Sequence, residues 1–143
     1  MRSATPDDAP AVRSVTEAAY HPYVGRIGVR PAPMDADVEA DIAAGRVFVT
    51  GDPVVGVLVL APQEDHLLLE SVAVRPEAHG RGVGGRLLDF AEAHARERGL
   101  SEVRLHTHVL MTGNQRIYER RGYEETARGQ TDRYRRIHYR KRV

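Results

Sequence analysis

Apolar and polar residues repeat with two different periods along the chain, and each change of period predicts a new element. Apolar residues at helical spacing, preceded by a capping-box pattern that begins at Thr5, predict a first helix that runs to about Tyr20. The stretch from His21 to Pro33 is rich in Pro and Gly and predicts a loop. A second, shorter helix is predicted over residues 34–45.

Strands are predicted where short apolar or alternating runs lie between turns: residues 46–50, 54–62, 66–74 and 101–109, and a final hairpin of 123–129 with 133–142. The run HLLLESVAV (66–74) is apolar on both faces and is expected near the centre of the sheet. Two more helices are predicted over 82–99 and 113–122. With one further strand before the first helix, to which no range is assigned, the order β-α-α-β-β-β-α-β-α-β-β predicts a mixed α/β fold, with a mostly antiparallel sheet between helices on both faces.

Length and composition narrow the class of protein. The 143 residues suit one domain, spanning 1–143, with a real core. The absence of Cys excludes disulfides and thiolate catalysis. The N-terminus lacks an apolar signal core and no run approaches membrane-spanning length, so we expect a soluble cytoplasmic protein that does not bind membranes. Residues 1–72 carry a net charge of −6 and residues 73–143 carry +7, so an anionic ligand would be drawn to the second half.

The second half contains a glycine-rich stretch, VRPEAHGRGVGGRLL (74–88), in which Gly80, Gly82 and Gly85 spell G-x-G-x-x-G. A dinucleotide-binding interpretation fails, because three predicted strands precede the loop and the next strand ends in His-Thr-His rather than an acidic residue. A P-loop interpretation fails because no Lys-Ser/Thr pair follows the glycines. A third interpretation fits: the backbone N–H groups of Gly80 to Gly85, at the start of a helix, form a cradle for a pyrophosphate, with Arg81 and Arg86 adding positive charge.

The sequence VAVRPEAHGRGVGGRLLDFAEAHARERG (72–99) resembles the acyl-CoA site of the GNAT acetyltransferase superfamily. IYERRGYEET resembles a later signature of that family, and RSATPDDAPAV resembles its usual opening. The resemblance implies an N-acetyltransferase that uses acetyl-CoA as donor and an amine as acceptor. Two positions depart from the pattern, because His79 replaces the usual Gln or Arg and Met111 replaces an Asn; the nearby Asn114 lies at a different point of the helix.

The resemblance also implies a cofactor-binding set in which backbone N–H groups of the strand polarise the thioester and the loop holds the phosphates: Val72, Ala73, Val74, His79, Gly80, Arg81, Gly82, Val83, Gly84, Gly85 and Arg86. Tyr118 occupies the position of the family's proton-donating Tyr, although packing against the cofactor would also explain an amphipathic ring there. No metal is expected, since the pair His106 and His108 has no evident third ligand.

Glu70 and His106 are the candidate general bases. A carboxylate in a strand of aliphatic residues is costly to bury without a purpose or a partner, and a His with a pKa of roughly 6.5 suits base chemistry. A salt bridge for Glu70 and a hydrogen-bonded strand position for His106 are equally acceptable explanations. The acceptor is expected to enter over residues 20–33, where Tyr20, His21 and Tyr23 could line its path, and over the final hairpin, and its identity stays open.

Other functions remain to be weighed against acetyl transfer. Because a fold does not fix a function, a non-catalytic acyl-CoA sensor or partner-binding module is the alternative. The interleaved Arg and Tyr residues of 133–142 raise a nucleic-acid interpretation, but the basic outer face of a terminal strand explains them more simply. Homodimers are common among proteins of this resemblance class, and the sequence leaves the oligomeric state open.

Overall fold

The computed structural model describes residues 1–131 and 134–143. The strands are β1 (Arg2–Ser3), β2 (Val47–Thr50), β3 (Gly56–Pro62), β4 (Leu67–Val74), β5 (Glu102–His108), β6 (Glu124–Thr131) and β7 (Tyr134–Arg142). The helices are α1 (Ala9–Ile27), α2 (Val38–Ala43), α3 (Val83–Glu97) and α4 (Thr112–Arg120). The predicted order of elements is confirmed; Arg133, where the last strand was predicted to start, lies outside the described residues.

The seven strands form one sheet in the order β1-β2-β3-β4-β5-β7-β6. All the neighbouring pairs described are antiparallel except β4 and β5, which are parallel. One core lies between the sheet and α3 and includes Leu58, Leu87 and Ile137, while the other lies under α1 and α2 and includes Val15 and Val57. The mixed α/β fold with helices on both faces is therefore confirmed.

The two parallel strands separate soon after they meet. β4 pairs with β5 only over Leu67–Leu69, opposite Val103–Leu105. Beyond those residues the two strands diverge, and the space between them is called the strand gap below. A parallel pair whose ladder stops in mid-sheet leaves backbone N–H and C=O groups that need another partner.

A β-bulge lies in β4 where the strand gap begins. Val59 is opposite Ser71 and Leu60 is opposite Leu69, so Glu70 is the extra residue in the ladder with β3. A bulge changes the direction of the side chains that follow it. Consequently Leu69 packs in the core under α3, whereas Glu70 and Ser71 both line a cavity on the other face of the sheet.

Helix α1 extends seven residues beyond the predicted end at Tyr20, through Pro22, and stops at Ile27. A Pro inside a helix costs roughly 3 kcal/mol, because it lacks an N–H and its ring crowds the preceding turn. Just before Pro22, the Tyr20 hydroxyl donates to the Val72 carbonyl at 3.0 Å and ties the helix to the sheet. Gly28, with a φ of +82°, ends the helix. The prediction of a loop from His21 was therefore wrong.

Helix α2 is shorter than its predicted range of 34–45. Asp37 is its N-cap, and its Oδ1 accepts a hydrogen bond from the Ala40 N–H at 3.0 Å. The residues before it, Ala32–Asp35, form a separate turn of 3-10 helix. That turn lies beside the cavities described below.

Candidate functional site

Helix α3 begins directly after the glycine-rich loop, and the N–H groups of its first turn have no hydrogen-bond partner among the described side chains. Gly80 and Gly82 have φ values of +78° and +77°, a region that side chains with a Cβ rarely adopt. Helix α3 follows Gly82 without an acidic residue in its first turn, and no described side chain caps it. The first N–H groups of a helix have no intrahelical partner and carry partial positive charge. This start of α3 therefore suits an anion.

The side chains around the loop add to this preference. Arg81 and Arg86 are exposed, and the guanidinium of Arg86 donates to the Arg81 carbonyl at 3.3 Å. Gly84 leaves room for a ligand beside the helix. A Cβ there would lie 4.0 Å from a methyl group of Val74 and would project towards the cleft. Two cations therefore lie near free N–H groups, although neither side chain lines the cleft described next, and the pyrophosphate cradle stays a prediction.

A cleft of about 650 Å³ lies between the loop, β4, α1 and α4, and is called the loop cleft. Its lining comprises Ala19, Tyr20, Tyr23, Val72, Val74, Ala78, His79, Gly80, Gly82, Val83, Gly84, Gly85, Leu88, Asn114, Ile117, Tyr118 and Arg120. Its volume is typical of small-molecule sites. Most of the predicted cofactor-binding set lines it; Val83 also reaches into the core, where it is 4% exposed.

The backbone of β4 presents two residues, not three, to the strand gap. The Arg75 N–H donates to the Val55 carbonyl at 2.8 Å, so alternate residues before Arg75 also point their backbone groups at β3. Ala73, opposite Val57, is one of them. The prediction that the Ala73 N–H is a free donor is therefore wrong, because that group belongs to the ladder with β3.

Val72 and Val74 direct their backbone groups the other way, into the strand gap. Two contacts agree with this direction: Val72 O accepts from the Tyr20 hydroxyl at 3.0 Å, and His79 Nε2 lies 3.2 Å from Val74 O. The N–H groups of Val72 and Val74 point into the same gap, where the sheet supplies no carbonyl for them. His79 thus contacts the edge of β4 as well as lining the loop cleft.

Tyr118 lies on α4 where the loop cleft meets a second, smaller cavity, which is called the inner cavity. Its side chain is 8% exposed, and its ring packs edge-on against Tyr123 with centroids 5.9 Å apart. Burial raises the pKa of Tyr118 well above its ordinary value of 10. The phenol therefore stays protonated at neutral pH, and no described residue accepts a hydrogen bond from it.

Asn114 precedes Tyr118 by four residues, so the two side chains share one face of α4. Both line the loop cleft and the inner cavity. Met111, at the usual Asn position, is 5% exposed and accepts weak hydrogen bonds at sulfur from Thr107 and Asn114, at 3.5 and 3.7 Å. Asn114 was set aside at the sequence level, although its i, i+4 spacing to Tyr118 was a usable signal.

Two connected cavities lie beyond the strand gap. The inner cavity, about 60 Å³, is bounded by Glu70, Ser71, His106, Arg136 and Tyr118. The bulge cavity, about 230 Å³, shares the first four of these residues and extends under α1 and α2. The inner cavity and the loop cleft share Tyr20, Val72, Asn114 and Tyr118, so the two spaces meet at these side chains.

Glu70 and His106 line both cavities. Burial and the nearby Asp41 raise the pKa of Glu70 above its ordinary value. Burial, together with the charge of Arg136, lowers the pKa of His106 to about 4. His106 is therefore unprotonated at neutral pH, whereas Glu70, which is exposed at the cavity wall, keeps its proton to a higher pH than an ordinary carboxylate. Among the residues described, no three His, Asp or Glu side chains are grouped to hold a metal ion.

The three predicted acceptor-side residues do not share one role. Tyr20 lines both the loop cleft and the inner cavity, and Tyr23 lines the loop cleft. His21 is exposed and lines neither of these spaces, because α1 continues through it and turns its side chain outwards. The predicted loop would have allowed all three side chains to face one space. In the helix, the side chain of His21 points away from those of Tyr20 and Tyr23.

The inner cavity is covered by the segment between α1 and α2. Pro31, Ala32 and Pro33 line it from this side. The cover is tied to β7, because the Tyr134 hydroxyl donates to the Arg30 carbonyl at 2.8 Å. The sequence placed the acceptor beside residues 20–33, which include this cover, and beside the final hairpin, although it did not single out Tyr134.

Residues 12–123 match the model of the acetyltransferase (GNAT) family. The chain is similar to the PaiA N-acetyltransferase from Thermoplasma acidophilum in complex with coenzyme A (16% identity, TM-score 0.76, 99% of this chain and 97% of that chain). It is also similar to a GNAT family acetyltransferase from Listeria monocytogenes 4b F2365 (18%, 0.75, 99% and 93%).

A GNAT family acetyltransferase from Elizabethkingia anophelis with acetyl-CoA bound is a further similar structure (18% identity, TM-score 0.63, 79% of this chain and 92% of that chain). At these identities the likeness shows a shared fold. No curated protein sequence matches the chain. No helix among the described residues is long and apolar enough to cross a membrane.

Proposed function

Because the chain belongs to the acetyltransferase (GNAT) family, we propose that it transfers an acetyl group directly from acetyl-CoA to a primary amine. The observation that carries this proposal is the meeting of the loop cleft and the inner cavity at Tyr20, Val72, Asn114 and Tyr118. A donor in one space and an acceptor in the other would bring their reacting atoms together there. The cytoplasmic location expected from the sequence stays a prediction.

The loop cleft fits the donor. The N–H groups at the start of α3, with Arg81 and Arg86, would hold the pyrophosphate. The N–H groups of Val72 and Val74 point into the strand gap and would bind the pantetheine amides and polarise the thioester carbonyl, because preorganised donors stabilise a developing oxyanion. The absence of a described side-chain cap on α3 supports this assignment.

The reaction requires that the acceptor lose protons and that the sulfur gain one. A lysine-like ammonium has a pKa of roughly 10.4, so a base must remove one proton before the nitrogen can attack. The C–N bond then forms and the C–S bond breaks. A second proton leaves the nitrogen, and the thiolate takes one proton to become CoA thiol, so one proton is released overall. We assign proton removal to Glu70, directly or through water, and protonation of sulfur to Tyr118.

A non-catalytic acyl-CoA sensor on the same fold is the alternative. It would use the loop cleft alone and would have no need for the inner cavity on the other side of the strand gap. The titratable side chains that line that cavity, Glu70 and His106, favour catalysis over sensing. The two functions separate in one assay, because a sensor binds acetyl-CoA without releasing CoA in the presence of an amine.

The first test is binding of acetyl-CoA to the loop cleft, measured as thermal stabilisation. Ligand at a hundred times its Kd stabilises a folded protein by roughly 2.7 kcal/mol. Gly84→Glu should remove this stabilisation, because the carboxylate would project to where the phosphates lie. Gly84 is better suited than Gly82, where a φ of +77° would strain any replacement.

Gly25→Glu is the matched control, because Gly25 also lies in a helix, is exposed and has nothing within 4 Å of an added Cβ. This variant should keep the full shift with acetyl-CoA. Equal stabilisation of both variants would show that the glycine-rich loop does not hold the phosphates. A comparable shift with NAD would revive the dinucleotide interpretation.

A further inference from the structure

The inner and bulge cavities contain two opposite charges that are not paired with each other. Glu70 and Arg136 line both cavities. No ion pair among the described residues includes Arg136, and none includes Glu70. Arg136 is half-buried, and a charge partly removed from water is usually paired, whereas Glu70 stays exposed to solvent where it lines the cavities. A molecule with both an anionic and a cationic group would satisfy both.

Arg136 is held in a defined place at this site. It lies on β7 directly opposite His108, and its guanidinium carbon is 5.0 Å from the centre of the Tyr134 ring. Its charge reaches the cavities, because it contributes, after burial, to the lowered pKa of His106. A planar guanidinium presents paired donors that match a carboxylate.

Ser71 supplies an independent observation. Its side chain is 7% exposed and lines both cavities, and its Oγ lies near the Tyr20 hydroxyl without a well-formed hydrogen bond to any described residue. A buried hydroxyl without a partner is uncommon and needs an explanation. A ligand with a polar group beside the bulge would provide the missing hydrogen bond.

The rest of the bulge cavity is mainly apolar. Val12, Val38, Val47, Val59 and Leu68 line it, and Ala32 and Pro33 cover it. Asp41 is the acidic residue in this lining, and it forms an ion pair with Arg46 at 3.7 Å. The space therefore suits an aliphatic side chain and disfavours an acidic one.

We propose that the acceptor is a free α-amino acid with an apolar side chain, whose carboxylate binds Arg136 and whose side chain occupies the bulge cavity. This inference rests on the proposed acetyl transfer. The amine then lies in the inner cavity, between Glu70 and the meeting point with the loop cleft. Ser71 donates to the carboxylate or accepts from the amine. The covered cavity and the charge of Arg136 select a free amino acid over the N-terminus of a peptide, which carries an uncharged amide at that position.

The test compares three acceptors that share one side chain: L-leucine, L-leucinamide and 3-methylbutylamine. With saturating acetyl-CoA, kcat/KM for leucine should exceed that for the other two by at least about tenfold, because only leucine offers a carboxylate for a charge-assisted hydrogen bond. Arg136→Gln should lower kcat/KM for leucine by at least about tenfold and change that for 3-methylbutylamine by less than about threefold.

Arg140→Gln is the matched control, because Arg140 lies on the same strand and the same face but lines neither cavity. It should leave all three values within about twofold of the wild type. If Arg136→Gln does not fold, the wild-type comparison of the three acceptors still decides the question.

Each outcome has one meaning. Equal use of leucine and 3-methylbutylamine would overturn the inference and leave acetyl transfer intact. A preference for a diamine such as cadaverine, or for a leucine-terminated peptide, would also overturn it, in favour of a cationic or a peptide acceptor. No transfer to any of these amines, by a protein that still binds acetyl-CoA, would overturn the proposed function and the inference together.

Discussion

Tyr118 combines a buried ring with a hydroxyl at the meeting point of two spaces, and this combination allows a sharp test. Tyr118→Phe keeps the ring and its contact with Tyr123 but removes the proton. General acid catalysis typically contributes on the order of 100- to 10,000-fold, and water can replace part of it. We therefore expect the saturated rate of acetyl transfer to fall by at least about tenfold, and the affinity for acetyl-CoA to change by less than about fivefold.

The saturated rate and the Kd of this one variant separate three roles for Tyr118. A packing role predicts little change in either quantity. A role in cofactor contact alone predicts weaker binding with an unchanged saturated rate. A wild-type rate at saturation would remove Tyr118 from the catalytic residues.

Glu70 and His106 line the same cavities, but their pKa values move in opposite directions. A base is more effective as its pKa approaches the working pH. Burial raises the pKa of Glu70, whereas burial and Arg136 lower that of His106 to about 4. Glu70→Gln should therefore lower turnover more than His106→Gln. The wild-type rate should fall with decreasing pH, because Glu70 becomes protonated as pH drops through a pKa above its ordinary value.

Measurement of kcat/KM from about pH 5 to 9 checks this ordering, with the melting temperature as a control. Because folding raises the pKa of Glu70, its ionised form lowers the stability of the folded protein above that pKa. Glu70→Gln should therefore keep or raise the melting temperature at neutral pH. Near-normal rates for both variants would mean that neither residue is the base.

Single residues of the site could be predicted where a local pattern identifies them. The glycine loop and Tyr118 follow from short motifs that fix a helix start or a helix face. Arg136 and Ser71 could not be predicted, because their places depend on the pairing of β7 with β5 and on the bulge in β4. The error at Ala73 has the same origin, since the direction of a strand N–H depends on which neighbour it pairs with.

Helix α3 and the turn after α4 are joined by a buried group of charges around Glu92. Glu92 is 4% exposed, and it accepts hydrogen bonds from the Tyr123 hydroxyl at 3.2 Å and from Lys141 Nζ at 2.8 Å. Arg121 also pairs with it at 3.4 Å. This group connects the YERRGY turn to the helix that begins at the glycine loop, so it fixes Tyr118 relative to the loop cleft.

Glu92→Gln should destabilise the fold, because it leaves Arg121 and Lys141 without their shared carboxylate. Removing one partner of a buried pair costs roughly 3–5 kcal/mol, and the partial exposure of both cations reduces this, so we expect about 2 kcal/mol. Urea unfolding measures the change in free energy.

Glu97→Gln makes the same chemical change at an exposed position of α3 and should cost less than about 0.5 kcal/mol. A cost below about 1 kcal/mol for Glu92→Gln would mean that the buried charges do not hold α3 to the turn.

The order of the elements was predictable, and their ends were less so. Thr5 and Asp8 form the expected capping box, in which the Thr5 N–H donates to Asp8 Oδ2 at 2.7 Å. Helix α1 was predicted too short because Pro22 usually stops a helix. The contact of Tyr20 with Val72, 52 residues away, ties the helix to the sheet just before that Pro, and a contact of this kind cannot be read from a local pattern.

The whole molecule joins a negative first half to a positive second half across the strand gap. The loop cleft draws its loop and α4 from the second half and α1 from the first. The sequence predicted this charge division and the position of the loop within it. It did not predict the cavities beyond the gap, because they form only where the bulge, the cover and β7 meet in space.

The charge division leads to a prediction about association. Acetyl-CoA is an anion, and the cations beside the loop should attract it over distances set by salt: the Debye length is about 30 Å at 0.01 M and about 10 Å at 0.1 M ionic strength. The association rate constant should therefore fall by at least about threefold between about 0.01 and 0.3 M salt. Stopped-flow mixing with a fluorescent acyl-CoA measures it.

The double variant Arg81→Gln, Arg86→Gln should bind more slowly and depend less on salt, because it removes the two exposed cations nearest the phosphate cradle. Arg142→Gln is the control: the 15 residues of α3 span roughly 22 Å, and Arg142, at the end of β7, lies opposite Glu102 at the start of β5, which follows the far end of that helix. This single change should leave the salt dependence near that of the wild type. Equal loss of salt dependence in both variants would place the attraction in the overall charge of the second half rather than in the loop, and an unchanged dependence in the double variant would separate Arg81 and Arg86 from acetyl-CoA capture altogether.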